Sequence, residues 1–159
     1  MMGRNILYIN NYFQDIRPLN YILNKESRDE FITRHDSSYS TIKYINTHTP
    51  ENAKVRLVLL AGRGYYLDRV YDDDSSYGMD VIRGLAASSN DDKSFRAYLN
   101  SLGCTHMLIR VDLFHQFLRN NYSSDTANRL FRQLRNTMNT IYNSNGYSVM
   151  EVTSFSSRN

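Results

Sequence analysis

Two short apolar runs with helical sequence between them restrict this chain to an α/β architecture. The first, Val55–Ala61 within AKVRLVLLAGRGYYLDR, runs straight into Gly62-Arg63-Gly64. The second, Thr105–Arg110 within LNSLGCTHMLIRVD, follows a helix-periodic stretch that stops at Gly103. Apolar strands joined through helices pair in parallel and are covered on both faces. The expected fold is a single α/β domain with a small, largely parallel sheet and helices on both faces. The Gly-Arg-Gly turn then falls at the carboxyl end of a strand, where open α/β sheets carry their ligands.

Periodicity organises the rest. Ile6, Ile9, Phe13 and Ile16 share one helical face, with Tyr8 and Tyr12 elsewhere on the same helix. Residues 1–25 therefore read as an amphipathic helical segment that needs a surface to cover it, whether its own domain, another domain or a membrane. Glu26–Arg34 reads as a short helix whose acids precede Arg34, as the helix dipole favours. Asp36 or Ser37 is suited to cap the next helix, striped by Tyr39, Ile42 and Ile45. Tyr65–Tyr71 is expected to be a short second strand, followed by the polar loop Asp72–Ser76. Helices are expected over Met79–Ala87, along the face Phe95, Tyr98, Leu99 and Leu102, and from Asp112 through Phe117. A longer helix starts near Ser123 or Ser124, keeps the stripe Ala127, Leu130, Phe131, Leu134, Met138 and Ile141, and stops at Asn145-Gly146. Tyr147–Thr153 alternates as a final strand. This assigns 26–153 to the α/β domain and 154–159 to a disordered tail.

Composition narrows the function classes. With 159 residues, the chain suits one domain with a real core. Nineteen Lys and Arg against 16 Asp and Glu give a net charge of +3. The basic residues are scattered among carboxylates, which argues against a nucleic-acid footprint. The one cysteine, Cys104, excludes an internal disulfide and a cysteine-based zinc site, and reads as a small buried hydrophobe. Leu57–Ala61 is far shorter than the roughly 20 residues that cross a bilayer. Thirteen Tyr, 7 Phe and no Trp is a bias toward rings that are at home with one end buried and one end wet.

Candidate chemistry is sparse. Gly62-Arg63-Gly64 lacks the remaining glycines and the Lys of a phosphate loop, and Leu67 stands where a dinucleotide fingerprint needs its third Gly. The turn still offers backbone N–H groups beside Arg63, Tyr65, Tyr66, Asp68 and Arg69. Arg makes forked contacts with phosphate, and Tyr stacks on a sugar face or bonds its hydroxyls. These five residues are the candidate ligand-binding set. In the competing reading, Arg69 pairs with Asp68 or with Asp72–Asp74 and holds the loop. Asp72-Asp73-Asp74 reads as a solvated acidic loop rather than a cation site, and His35, His48, His106 and His115 have no ligand partners at useful spacing. No catalytic residue, metal site or cofactor is expected.

Five segments, in order, resemble a known family: Glu26-Ser27-Arg28-Asp29-Glu30-Phe31; Tyr39 to Asn46; Pro50-Glu51-Asn52-Ala53-Lys54-Val55; Arg63-Gly64-Tyr65-Tyr66-Leu67-Asp68-Arg69; and Leu102-Gly103-Cys104-Thr105-His106-Met107-Leu108. Together they resemble the soluble C-terminal domain of bacterial GT-C glycosyltransferases of the dolichyl-phosphate-mannose protein mannosyltransferase-like group, over roughly Glu26–Val152. The resemblance implies a non-catalytic domain on the periplasmic side of the inner membrane. Its parent chain would transfer a sugar from a polyprenyl-phosphate donor, through a carboxylate in a loop with no counterpart here. The implied partners are the parent's transmembrane domain, the membrane surface, and a polyprenyl-phosphate sugar headgroup or acceptor. Two other readings remain open: an independent α/β module that binds a small ligand or a protein, and a free-standing enzyme with its site at Gly62–Arg69.

Overall fold

The computed structural model describes residues 9, 11–73 and 76–153. The expectations for Ile6, Tyr8, Asp74, Ser75 and the 154–159 tail lie outside the described residues. The chain divides into two compact units, 1–39 and 40–159.

The first unit is helical: α1 (11–16), α2 (Pro18–Ile22) and α3 (Arg28–His35). Ser27 and Glu30 form a reciprocal capping box at the start of α3, with Glu30 Oε2 accepting from the Ser27 N–H at 2.8 Å and Ser27 Oγ accepting from the Glu30 N–H at 3.2 Å. The Ser27 N–H and the Ser27 hydroxyl, which donates at 2.7 Å, hold the Glu30 carboxyl below its usual range. Glu26 lies before the helix, where Arg34 grips it through Nε at 3.0 Å and Nη2 at 2.7 Å. Arg34 Nη1 also donates to the Ile16 carbonyl at 2.9 Å, closing the end of α1 onto α3.

The second unit carries the α/β domain. α4 (Tyr39–His48) leads to β1 (Lys54–Val58), and β2 (Val70–Asp72) follows without an intervening helix. Then come α5 (Met79–Ser88), α6 (Asp92–Ser101), β3 (His106–Arg110), α7 (Val111–Asn121), α8 (Ser124–Thr137), β4 (Met138–Ser144) and β5 (Tyr147–Val152). The sheet order is β2-β1-β3-β5-β4. It is parallel across β2-β1-β3, and the β4–β5 hairpin adds to β3 in antiparallel fashion.

Strand alternation sorts the core into two layers. Val55, Leu57, Leu108, Tyr147 and Val149 face one side and pack with Ile42 and Ile45 of α4. Val58, Met107 and Ile109 face the other and pack with Val81, Ile82, Leu85, Phe95, Leu118 and Leu130 from α5 to α8. The stripe of α4 is buried as its spacing requires.

Four local expectations are corrected. β1 ends at Val58, because Leu59 and Ala61 take left-handed backbone (φ 63° and 52°) and leave the strand. The second strand covers only Val70–Asp72, since 65 and 66 lie in turns. α7 begins directly at Val111 and runs on to Asn121, burying Leu118; Asp112 sits inside its first turn, not at the cap. The largest correction concerns α8, which ends at Thr137. Met138 and Ile141 sit on the helical spacing of Leu134, yet Met138 is extended (φ −134°, ψ 145°) and opens a strand. Asn145-Gly146 is therefore a hairpin turn, with both residues at positive φ (50° and 82°), the backbone an Asn-Gly pair supplies most cheaply.

Two outcomes follow. Leu130→Ala costs about 2–5 kcal/mol in denaturant melts, as a fully buried Leu of α8, and exposed Arg132→Ala costs under about 0.5 kcal/mol. His106, buried in β3, has its pKa pushed below the ordinary 6.5 by desolvation, against a smaller upward pull from Glu151. The unfolded chain then takes the proton first, so His106 lowers stability as pH falls through 6.5 and below. His106→Gln flattens that part of a stability–pH curve.

Candidate functional site

The carboxyl ends of the three parallel strands lie along one edge of the sheet. Beside it lie the connection 59–69, the turn before α5, and the start of β5. The chain leaves β1 outward toward β2, and leaves β3 in the opposite direction, through α7 and α8 to the hairpin. The gap between the ends of β1 and β3 is thus a topological switch point, the usual ligand position in open α/β sheets.

The connection 59–69 is held from both sides. The Leu59 N–H donates to the Tyr77 carbonyl at 2.7 Å, tying the end of β1 to the turn before α5. Leu60 and Leu67 bury in the α4-side core. Asn46 of α4 is the central clamp: its Nδ2 donates to the Tyr66 carbonyl at 2.8 Å, and its Oδ1 accepts from the Asp68 N–H at 2.9 Å. At Gly64 a Cβ would sit 2.5 Å from the exposed Tyr71 ring, so a larger residue there would displace that ring. Leu59, Ala61 and Gly62 all hold positive φ within four residues. Side chains of the L series adopt such backbone at a cost, and it persists only where surrounding structure enforces it.

The five candidate residues share this loop but engage different elements. Arg63 Nη1 donates to the Tyr147 hydroxyl at 3.2 Å, at the start of β5. Arg69 Nη2 donates to the carbonyls of Asn46 at 2.7 Å and Thr49 at 2.9 Å, closing the C-terminal end of α4. Arg69 therefore secures the loop through helix carbonyls, where the sequence pointed to the aspartates as its partners. Tyr65 is exposed, with its ring 4.4 Å from that of half-buried Tyr66. Asp68 is exposed and enters the clamp through its backbone. Asp72 is the cross-strand partner of Arg56 and bonds its guanidinium at 2.6 Å.

Two residues join Arg63 that the sequence did not single out. Arg110, the last residue of β3, stands with its guanidinium 6.0 Å from the Tyr147 ring centroid. Asp112 grips it at 3.0 and 3.2 Å, which raises the Arg110 pKa and lowers that of Asp112. Arg63, Arg110 and Tyr147 thus converge at the switch point, an arrangement able to accept an anionic or hydroxylated group. Arg110 and Tyr147 are far apart in sequence and meet only through the β3–β5 register, in which they pair. Among the described residues no group of three His, Cys, Asp or Glu is placed to hold a metal ion. Burial pushes the Cys104 thiol above its ordinary pKa, so it is a poor nucleophile.

The two arginines are separable by experiment. Asn46→Ala leaves the Tyr66 carbonyl and Asp68 N–H without their side-chain partner and costs about 1–3 kcal/mol, with faster amide exchange across 59–69. Arg69→Gln speeds exchange in the same segment. Arg63→Gln costs under about 0.5 kcal/mol and leaves exchange there unchanged.

No family model, no curated protein and no solved structure matches the chain.

Proposed function

We propose that this chain acts as the non-catalytic, extracytoplasmic C-terminal domain of a bacterial multi-pass membrane glycosyltransferase that transfers a sugar from a polyprenyl-phosphate donor. The observation that carries the reading is the placement of exposed apolar surface. Every exposed large hydrophobic among the described residues falls in one of two places. Seven lie between 9 and 23: Ile9, Tyr12, Phe13, Leu19, Tyr21, Ile22 and Leu23, from 43% to 65% exposed. The other four, Tyr65, Val70, Tyr71 and Tyr77, surround the 59–69 connection and the β2 edge.

Such concentration is what a domain needs when it meets an apolar neighbour at defined places. The 9–23 segment fits the bilayer interface, where Tyr rings straddle headgroups and acyl chains and Ile, Leu and Phe insert. No helix of the described residues is long and apolar enough to cross a membrane, so in this reading the segment lies on the surface, beside the transmembrane part of the parent chain. Tyr65 of the second patch lies two residues from Arg63 in the same connection, which suits contact with the transmembrane part, or with the phosphate or sugar of donor or acceptor. The chemistry of transfer belongs to the membrane part; this domain's residues position and brace.

Sedimentation with vesicles of phosphatidylethanolamine and phosphatidylglycerol tests the reading. The chain co-sediments, and the double variant Phe13→Ser, Ile22→Ser stays in the supernatant with an unchanged melting temperature. Wild-type protein that stays in the supernatant overturns the membrane placement. Sugar transfer by the isolated chain from a polyprenyl-phosphate donor, above a boiled control, overturns the non-catalytic assignment.

A further inference from the structure

A cleft of about 270 Å³ opens between α7, α8 and the β4–β5 hairpin, on the sheet face away from α4. It plays no part in the function proposed above. Its size falls just under that of pockets for drug-sized ligands, the scale of a small metabolite. Six apolar side chains form its walls: Ile109, Val111, Phe114, Phe131, Leu134 and Met150. The Phe114 and Phe131 rings meet edge to face at 6.1 Å, and the His115 ring lies 5.1 Å from Phe131, so the aromatic side of the cleft is prebuilt.

Its polar lining has two properties that point to a ligand. The only ionisable groups are His115 and Arg135, and no carboxylate lines the cleft. Among the described residues, the side chains of exposed Arg135 and of Asn143 and Ser148 make no hydrogen bond or ion pair. Arg34, Arg56, Arg69 and Arg110 are held by Glu26, by Asp72, by the carbonyls of Asn46 and Thr49, and by Asp112. Arg17, Arg28, Arg119 and Arg132 are exposed and unbonded among the described residues, like Arg135, but of these only Arg135 lines the cleft. An unpaired guanidinium at the mouth of an apolar cleft is complementary to an anion with an apolar body.

We propose that this cleft binds a small amphipathic monocarboxylate. Its aromatic ring or branched chain lies against Phe114, Phe131 and Met150, and its carboxylate meets the Arg135 fork beside Asn143. The walls supply affinity through buried apolar area, and Arg135 supplies the selection for charge.

Phenylbutyrate and its neutral analogue phenylbutanol, titrated into the isotope-labelled full chain and followed by amide chemical shifts, test the site. Phenylbutyrate shifts the amides of Phe131, Arg135 and Asn143 saturably, and phenylbutanol binds about tenfold more weakly or worse, as loss of a charge-assisted contact dictates. Arg135→Gln brings the acid down to the affinity of the alcohol, with an unchanged melting temperature because Arg135 is exposed and makes no internal bond. The proposal is overturned by absence of saturable shifts at these amides up to the solubility limit, or by shifts confined to residues 9–23. Equal affinity for acid and alcohol, or wild-type affinity for the acid in Arg135→Gln, overturns it equally.

Discussion

The side-chain amide of Asn46 is the contact on which the parallel half of the sheet depends. Parallel neighbours ordinarily require a crossover of a dozen or more residues, most often built on a helix that packs back on the sheet. Between β1 and β2 the chain makes the crossover with residues 59–69 alone. A connection without a helix has few internal hydrogen bonds, and its ordering must be offset from outside. Asn46 provides two bonds to its backbone, Arg69 returns two to the end of α4, and Leu60 and Leu67 bury beneath it. α4 thus serves the connection in place of the missing crossover helix, and β2 is positioned through it.

From that arrangement the division of labour between the two faces follows. The α4 face carries one helix and a pinned loop; the opposite face carries α5 to α8. Arg56, whose side chain lies among the second set, does not remain an isolated buried charge because Asp72 stands across from it in the β1–β2 register. The β1–β3 register brings the ends of β1 and β3 level, and Arg63 and Arg110 both reach Tyr147.

What could be read from the sequence was what the physics writes locally. The apolar runs that hold β1 and β3, the stripe of Tyr39, Ile42 and Ile45, the helix start near Ser123, and the stop at Gly103 all follow from spacing and side-chain chemistry within a few residues. The hairpin was missed because Met138 and Ile141 continue the helical interval of Leu134, while the contrary signals were weaker. Those signals were Asn and Thr at 139, 140 and 143, poor helix formers, and an Asn-Gly pair that reads as a helix stop as easily as a hairpin turn. Asn46 was illegible for a different reason. An amide on a helix has no pattern that reveals which loop it will reach, and its partners are backbone atoms twenty residues away. Arg110 and Tyr147 likewise became neighbours only once β5 was known to run antiparallel to β3.

The irregularity in β4 has a consequence for self-association. An open sheet offers two edges on which another chain can add a strand. On one side β4 is irregular between Thr140 and Tyr142, which disrupts the regular spacing of its outward N–H and C=O groups, and polar Asn139, Thr140 and Asn143 line that border. On the other side β2 is three residues long, ends in Asp72 and is followed directly by Asp73. Neither border presents a long, flat template, so the fold resists growing into a shared sheet between copies, even where its apolar side chains are exposed.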